Sequence, residues 1–68
     1  MYPLQRRLIM RIKQLRTEHE MTQGALAQRA GLARQYVNRL ESGQPDPSLS
    51  TLIKLAKALK VTVAELVE

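Results

Sequence analysis

Five side chains with hydrogen-bonding heads fall within six consecutive positions: Arg34, Gln35, Tyr36, Asn38 and Arg39. A guanidinium presents a planar fork of donors, and a primary amide carries two donors and one acceptor. Planar groups of this kind match the edges of nucleobases in a duplex. Arg can bond guanine at two atoms and Gln can pair with adenine, whereas Tyr and Asn suit phosphate oxygens. Val37 and Leu40 interrupt the polar run. In a helix over about 34–42 they would share one face and leave Arg34, Gln35, Asn38 and Arg39 free to project. The plainer reading is a solvated charged face, with the Tyr36 ring packed on a neighbouring helix.

A helix of about two turns does not persist alone in water, so other elements must hold it. In "TQGALAQRAGL" (22–32), Thr22 is a good N-cap for a helix over 23–30 whose Leu26, Ala27 and Ala30 face inward. Gly31 supplies the left-handed residue of a sharp corner and Leu32 plugs it. Upstream, Leu4, Leu8, Ile12 and Leu15 keep helical spacing over about 4–19, with Pro3 in the first turn. That helix ends near His19 and Glu20, neither of which is the Gly favoured there. Downstream, Gly43 stops the third helix and "SGQPDPSLS" (42–50) reads as a loop. Ser48 caps a fourth helix over 49–59 with Leu52, Leu55, Ala56 and Leu59 inward. Thr62 caps a fifth over 63–67, held by Val63 and Leu66. The expectation is an all-α, compact five-helix bundle, one domain over 1–68, containing a helix-turn-helix.

Composition supports this. The 68 residues are 44% hydrophobic yet 3% aromatic, without Phe or Trp, so the core must be aliphatic. With no Cys, neither a disulfide nor a thiolate metal site can reinforce it, and a reducing cytoplasm suits it. Eleven Lys and Arg against six acidic residues give a formal +5, which points to a polyanionic partner. No apolar run is long enough for a membrane span, and the basic N-terminus lacks a secretory pattern. Catalysis finds no support: there is no Gly-rich phosphate loop, no Cys nucleophile and no Ser with a His and carboxylate partner. His19 is the one histidine, so no metal site or other cofactor is expected, and no small-molecule site is evident.

The spacing Thr22-Gln23-x-x-Leu26-Ala27-x-x-Ala30-Gly31-Leu32, then Val37, Leu40-Glu41-x-Gly43 and "PSLSTLIKLAKALKV", resembles the lambda-repressor and Cro type of helix-turn-helix regulators over residues 8–68. That resemblance implies a sequence-specific transcriptional regulator binding double-stranded operator DNA as a homodimer, with the third helix in the major groove. Arg34, Gln35 and Arg39 then match base-reading positions. Gln23 matches the residue that contacts a phosphate and braces the first reader. Tyr36, Asn38 and the backbone N–H groups of Ser42, Gly43 and Gln44 would take phosphates. Arg16 and Glu41 match a pair that forms a buried ion pair in some members.

Departures from the pattern concern stability and the loop. Ala33 stands where a capping Ser or Thr is common, Ala25 replaces the Glu of a capping box, and Asp46 puts an anion in the loop. Val61, Val63 and Val67 are candidate dimer contacts. Arg6, Arg7 and Arg11 are further cations within reach of phosphates, and Lys54, Lys57 and Lys60 read as a solvated face. A protein-interaction module, antitoxin-like or coactivator-like, is the alternative use of the same basic surface.

Overall fold

The computed structural model describes residues 3–43 and 47–67, with side chains from residue 6 onward. Its elements are α1 (Pro3–Glu18), α2 (Gln23–Ala30), α3 (Arg34–Glu41), α4 (Leu49–Leu59) and α5 (Val63–Val67). These match the expected helices to within one residue at every end, and no strand occurs among the described residues. The fold is all-α, as the periodicity requires.

The helix starts follow local chemistry. The Thr22 hydroxyl accepts from the Ala25 N–H at 3.0 Å, and the Ser48 hydroxyl accepts from Thr51 N–H at 3.2 Å. Both remove an otherwise unpaired donor from the first turn. Thr62 and Glu65 form a reciprocal pair. Glu65 N–H donates to the Thr62 hydroxyl at 3.0 Å, and Thr62 N–H donates to the Glu65 carboxylate at 2.8 Å. This is a capping box, whose Thr-x-x-Glu spacing is visible in the sequence. Ala33 begins α3 with no side-chain cap.

Three helices end in the same way. After α2, Gly31 takes φ 70°, and Leu32 N–H reaches back to Ala27 C=O at 2.8 Å. After α1, Glu20 takes φ 57° and Met21 N–H donates to Arg16 C=O at 3.0 Å. After α4, Lys60 takes φ 60° and Val61 N–H donates to Ala56 C=O at 3.0 Å. Each is a Schellman termination, and each left-handed residue precedes an apolar one seated on the core: Met21, Leu32 and Val61. The inward pull of that apolar residue holds Glu20 and Lys60 in a backbone region that costs a non-glycine residue about 1 kcal/mol.

Ile12, Leu26, Val37, Leu40, Leu55, Leu59 and Leu66 are fully buried, with Leu8, Met21, Ala27, Ala30, Ala56 and Ala58 beside them. Leu15, Leu32, Tyr36, Leu52, Val61, Val63 and Val67 pack around this cluster, half-buried. Each fully buried Leu or Ile contributes about 1.5–3 kcal/mol by leaving water. The core is therefore aliphatic throughout and draws on every helix. α2 lies against α3 and α4, while α1 lies against α3 and α5, so the two short central helices are clamped between the longer outer ones.

Candidate nucleic-acid interface

The clamp leaves α3 with one free side. Val37 and Leu40 are completely buried, whereas Arg34, Gln35, Asn38 and Arg39 are all exposed. These four, with Gln23 from the start of α2, line an open hollow of about 550 Å³. Two guanidiniums and three amides therefore share one surface, and the exposed side chains of α3 form a polar ridge bordering that hollow. The Arg34 stem runs beside Gly24, where an added Cβ would meet its δ-carbon at 3.7 Å, an ordinary contact distance. Tyr36 sits on the flank and packs against the core cluster, so its ring is partly structural.

Beneath the ridge is a buried ion pair. Arg16 Nε donates to Glu41 Oε2 at 2.7 Å and its Nη2 donates to Oε1 at 3.1 Å. The side chains are 12% and 3% exposed, so water screens the pair weakly. Arg16 Nη1 also donates to Met21 C=O at 2.7 Å. One guanidinium thus joins α1 to the carboxylate of α3 and to the turn before α2. Gln23 Nε2 donates to Glu41 Oε1 at 3.0 Å, and Asn38 Nδ2 donates to Gln23 Oε1 at 3.0 Å. No buried side-chain nitrogen or oxygen among the described residues lacks a partner.

Three expectations change in detail. Gln23 braces Asn38 and Glu41 rather than Arg34, the first residue of the ridge, because its amide lies between two groups of α3. The backbone N–H groups of Ser42 and Gly43 are not free for a phosphate. Ser42 N–H donates to Asn38 C=O and Arg39 C=O, each at 3.1 Å, and Gly43 N–H donates to Leu40 C=O at 3.0 Å. These bonds satisfy the last carbonyls of α3, which have no partner further along the helix. Gln44 and Asp46 lie outside the described residues. Arg11 is tied to α5, its Nε donating to Glu65 C=O at 3.1 Å, while Arg6, Lys54, Lys57 and Lys60 are exposed. His19 is exposed too, and no metal-binding group of His, Cys, Asp or Glu occurs among the described residues. No helix among them is long and apolar enough to cross a membrane.

A short helix whose apolar back is locked and whose polar front is presented, set at a glycine corner against a second short helix, defines a repressor-like helix-turn-helix DNA-binding domain. The chain belongs to the helix-turn-helix family HTH_3, which matches residues 12–66. It is 44% identical over 57 residues to an immunity repressor of Bacillus phage phi105, a match covering 84% of this chain and 40% of the repressor. The chain thus spans about two fifths of that relative's length. Among solved structures, the restriction-modification controller C.AhdI from Aeromonas hydrophila superposes with a TM-score of 0.89 at 38% identity, covering 96% of this chain and 98% of the other. SinR, a master regulator of biofilm formation solved in complex with DNA, gives 0.84 at 35% identity, covering 90% and 98%. The family is one of transcription regulators rather than enzymes.

Proposed function

We propose that this chain is a sequence-specific double-stranded DNA-binding transcriptional regulator, in which α3 enters the major groove and Arg34, Gln35 and Arg39 read bases. The observation that carries this reading is the split character of α3, with Val37 and Leu40 fully buried and the guanidinium-and-amide ridge fully presented. The similarity to SinR, whose structure includes DNA, and to a phage repressor supports it. Tyr36, on the flank of the ridge, is suited to a phosphate or a thymine methyl.

The active form is a homodimer on an operator with half-sites about one helical turn apart, because one module of this size reaches only a few base pairs. Val61, Val63 and Val67 are half-buried against the core and leave only their margins for a partner. Leu49 and Ile53 lie one turn apart on α4 and are 67% and 40% exposed, so they are the better anchors for a second copy. Such a regulator works in the cytoplasm, where the operator is.

Selection from randomised duplexes tests the reading. Enrichment of a two-fold related motif is expected, with Arg34→Ala relaxing one position of each half-site. A pool that stays random, despite salt-sensitive binding, would show a basic surface serving an acidic protein instead.

A further inference from the structure

We propose that Asn38 reads a base edge, selecting adenine, and that the buried carboxylate of Glu41 sets the orientation of its amide through Gln23. This rests on the reading of α3 as the recognition helix and adds to it a specificity residue and the device that aims it.

The polarity argument begins at the ion pair. A carboxylate accepts hydrogen bonds and donates none. Glu41 Oε1 lies 3.0 Å from the Gln23 amide nitrogen, and turning that amide over would set two acceptor oxygens face to face. The Gln23 nitrogen must therefore face Glu41 and its oxygen must face away. That oxygen lies 3.0 Å from Asn38 Nδ2, and the same reasoning forbids the reversed Asn38 amide. Nitrogen and oxygen of an amide are normally hard to tell apart, but here the carboxylate decides both orientations in turn. The chain of donors runs outward, from the charge to the surface.

Asn38 is left with one N–H and the whole of its carbonyl oxygen, on an exposed side chain bordering the hollow with Arg34, Gln35 and Arg39. One donor beside one acceptor complements adenine, which shows the N7 acceptor and the N6 amino donor in the major groove. Guanine shows two acceptors there and would meet the Asn38 oxygen with its own. A phosphate offers acceptors alone and would use half of the group. The arrangement therefore fits a base better than the DNA backbone. Gln23 is a positioning residue in this scheme, because it acts through Asn38.

The test compares duplex selections by the parent and by Asn38→Ala, an exposed substitution whose fold is checked by thermal melting. The parent should show an adenine column that Asn38→Ala flattens while the other columns persist, with affinity for the parent's best duplex falling at least about fivefold. Replacing that adenine by 7-deazaadenine, which lacks the N7 acceptor, should weaken the parent and leave Asn38→Ala unaffected. Gln23→Met should narrow the adenine-over-guanine ratio in that column alone. A uniform loss of affinity with every column retained would make Asn38 a phosphate contact and overturn the proposal, as would a 7-deaza effect equal in both proteins. An unchanged ratio in Gln23→Met would overturn the aiming role. A parent that enriches no column fails at the recognition helix itself, a result distinct from either.

Discussion

Glu41→Ala tests the link between the ion pair and the fold. The carboxylate is 3% exposed and accepts from Arg16 Nε, Arg16 Nη2 and Gln23 Nε2. Truncation leaves the Arg16 guanidinium, itself 12% exposed, holding only its bond to Met21 C=O. Removing one partner of a buried pair costs about 3–5 kcal/mol, because the other charge stays desolvated without compensation. A domain of 68 residues has about 3–10 kcal/mol of total stability, so this loss consumes about three tenths of it at the least and can consume all of it. In a domain of this size 1 kcal/mol moves Tm by about 4–8 °C, which places the expected fall at about 12 °C or more. Circular dichroism at the helix band, followed against temperature and against urea, measures it without DNA. The double variant Arg16→Met with Glu41→Leu removes both charges and should be more stable than Glu41→Ala alone, since apolar replacements of a buried pair are often neutral. A melting point for Glu41→Ala within a few degrees of the parent would refute the reasoning, because water would then be reaching the guanidinium freely.

Three further outcomes are expected. Ala33→Ser supplies the missing cap of α3 and Lys60→Gly relieves a left-handed lysine, so each should add about 1 kcal/mol in urea denaturation; no gain from either would count against the cap geometry. Leu49→Glu with Ile53→Lys should leave the melting point nearly unchanged but give one chain per duplex by analytical ultracentrifugation, whereas two chains per duplex would move the dimer contact elsewhere. The Thr62 backbone N–H, its hydroxyl and, more weakly, the Arg11 charge hold the Glu65 carboxyl below its ordinary value near 4.5, against the opposing effect of burial. A carboxylate lowered on folding stabilises the fold above its unfolded value, and that contribution disappears as the pH falls through the folded value. Glu65→Gln should therefore flatten acid unfolding below about pH 4.5, and an NMR titration midpoint for Glu65 at or above that value would contradict the capping box.

Much of this fold was legible before any coordinates, because its signals are short-range. Thr22, Ser48 and Gly31 act on backbone groups within a few residues of themselves, and the i, i+3, i+4 rows of Leu and Ala fix which face of each helix turns inward. The exposed ridge follows from the same spacing, since burying Val37 and Leu40 rotates Arg34, Gln35 and Arg39 outward. The Thr62–Glu65 box was available too, as a motif of four residues that sequence reasoning read only as a threonine cap.

What tertiary structure alone decided depends on groups brought together from different helices. Periodicity places Gln23 at the start of α2 and Asn38 on the outside of α3, but their 3.0 Å bond exists only once those helices cross. The Arg16–Glu41 pair spans 25 residues and was expected through resemblance to relatives, whereas Arg16 reaching Met21 C=O was not foreseen. Glu20 and Lys60 end their helices without glycine because burial of Met21 and packing of Val61 outweigh a local preference. Local propensities are worth about 1 kcal/mol each, and a buried apolar side chain contributes two or three times that amount. Sequence thus set the helices and their faces, while packing chose where each ends and which polar heads meet.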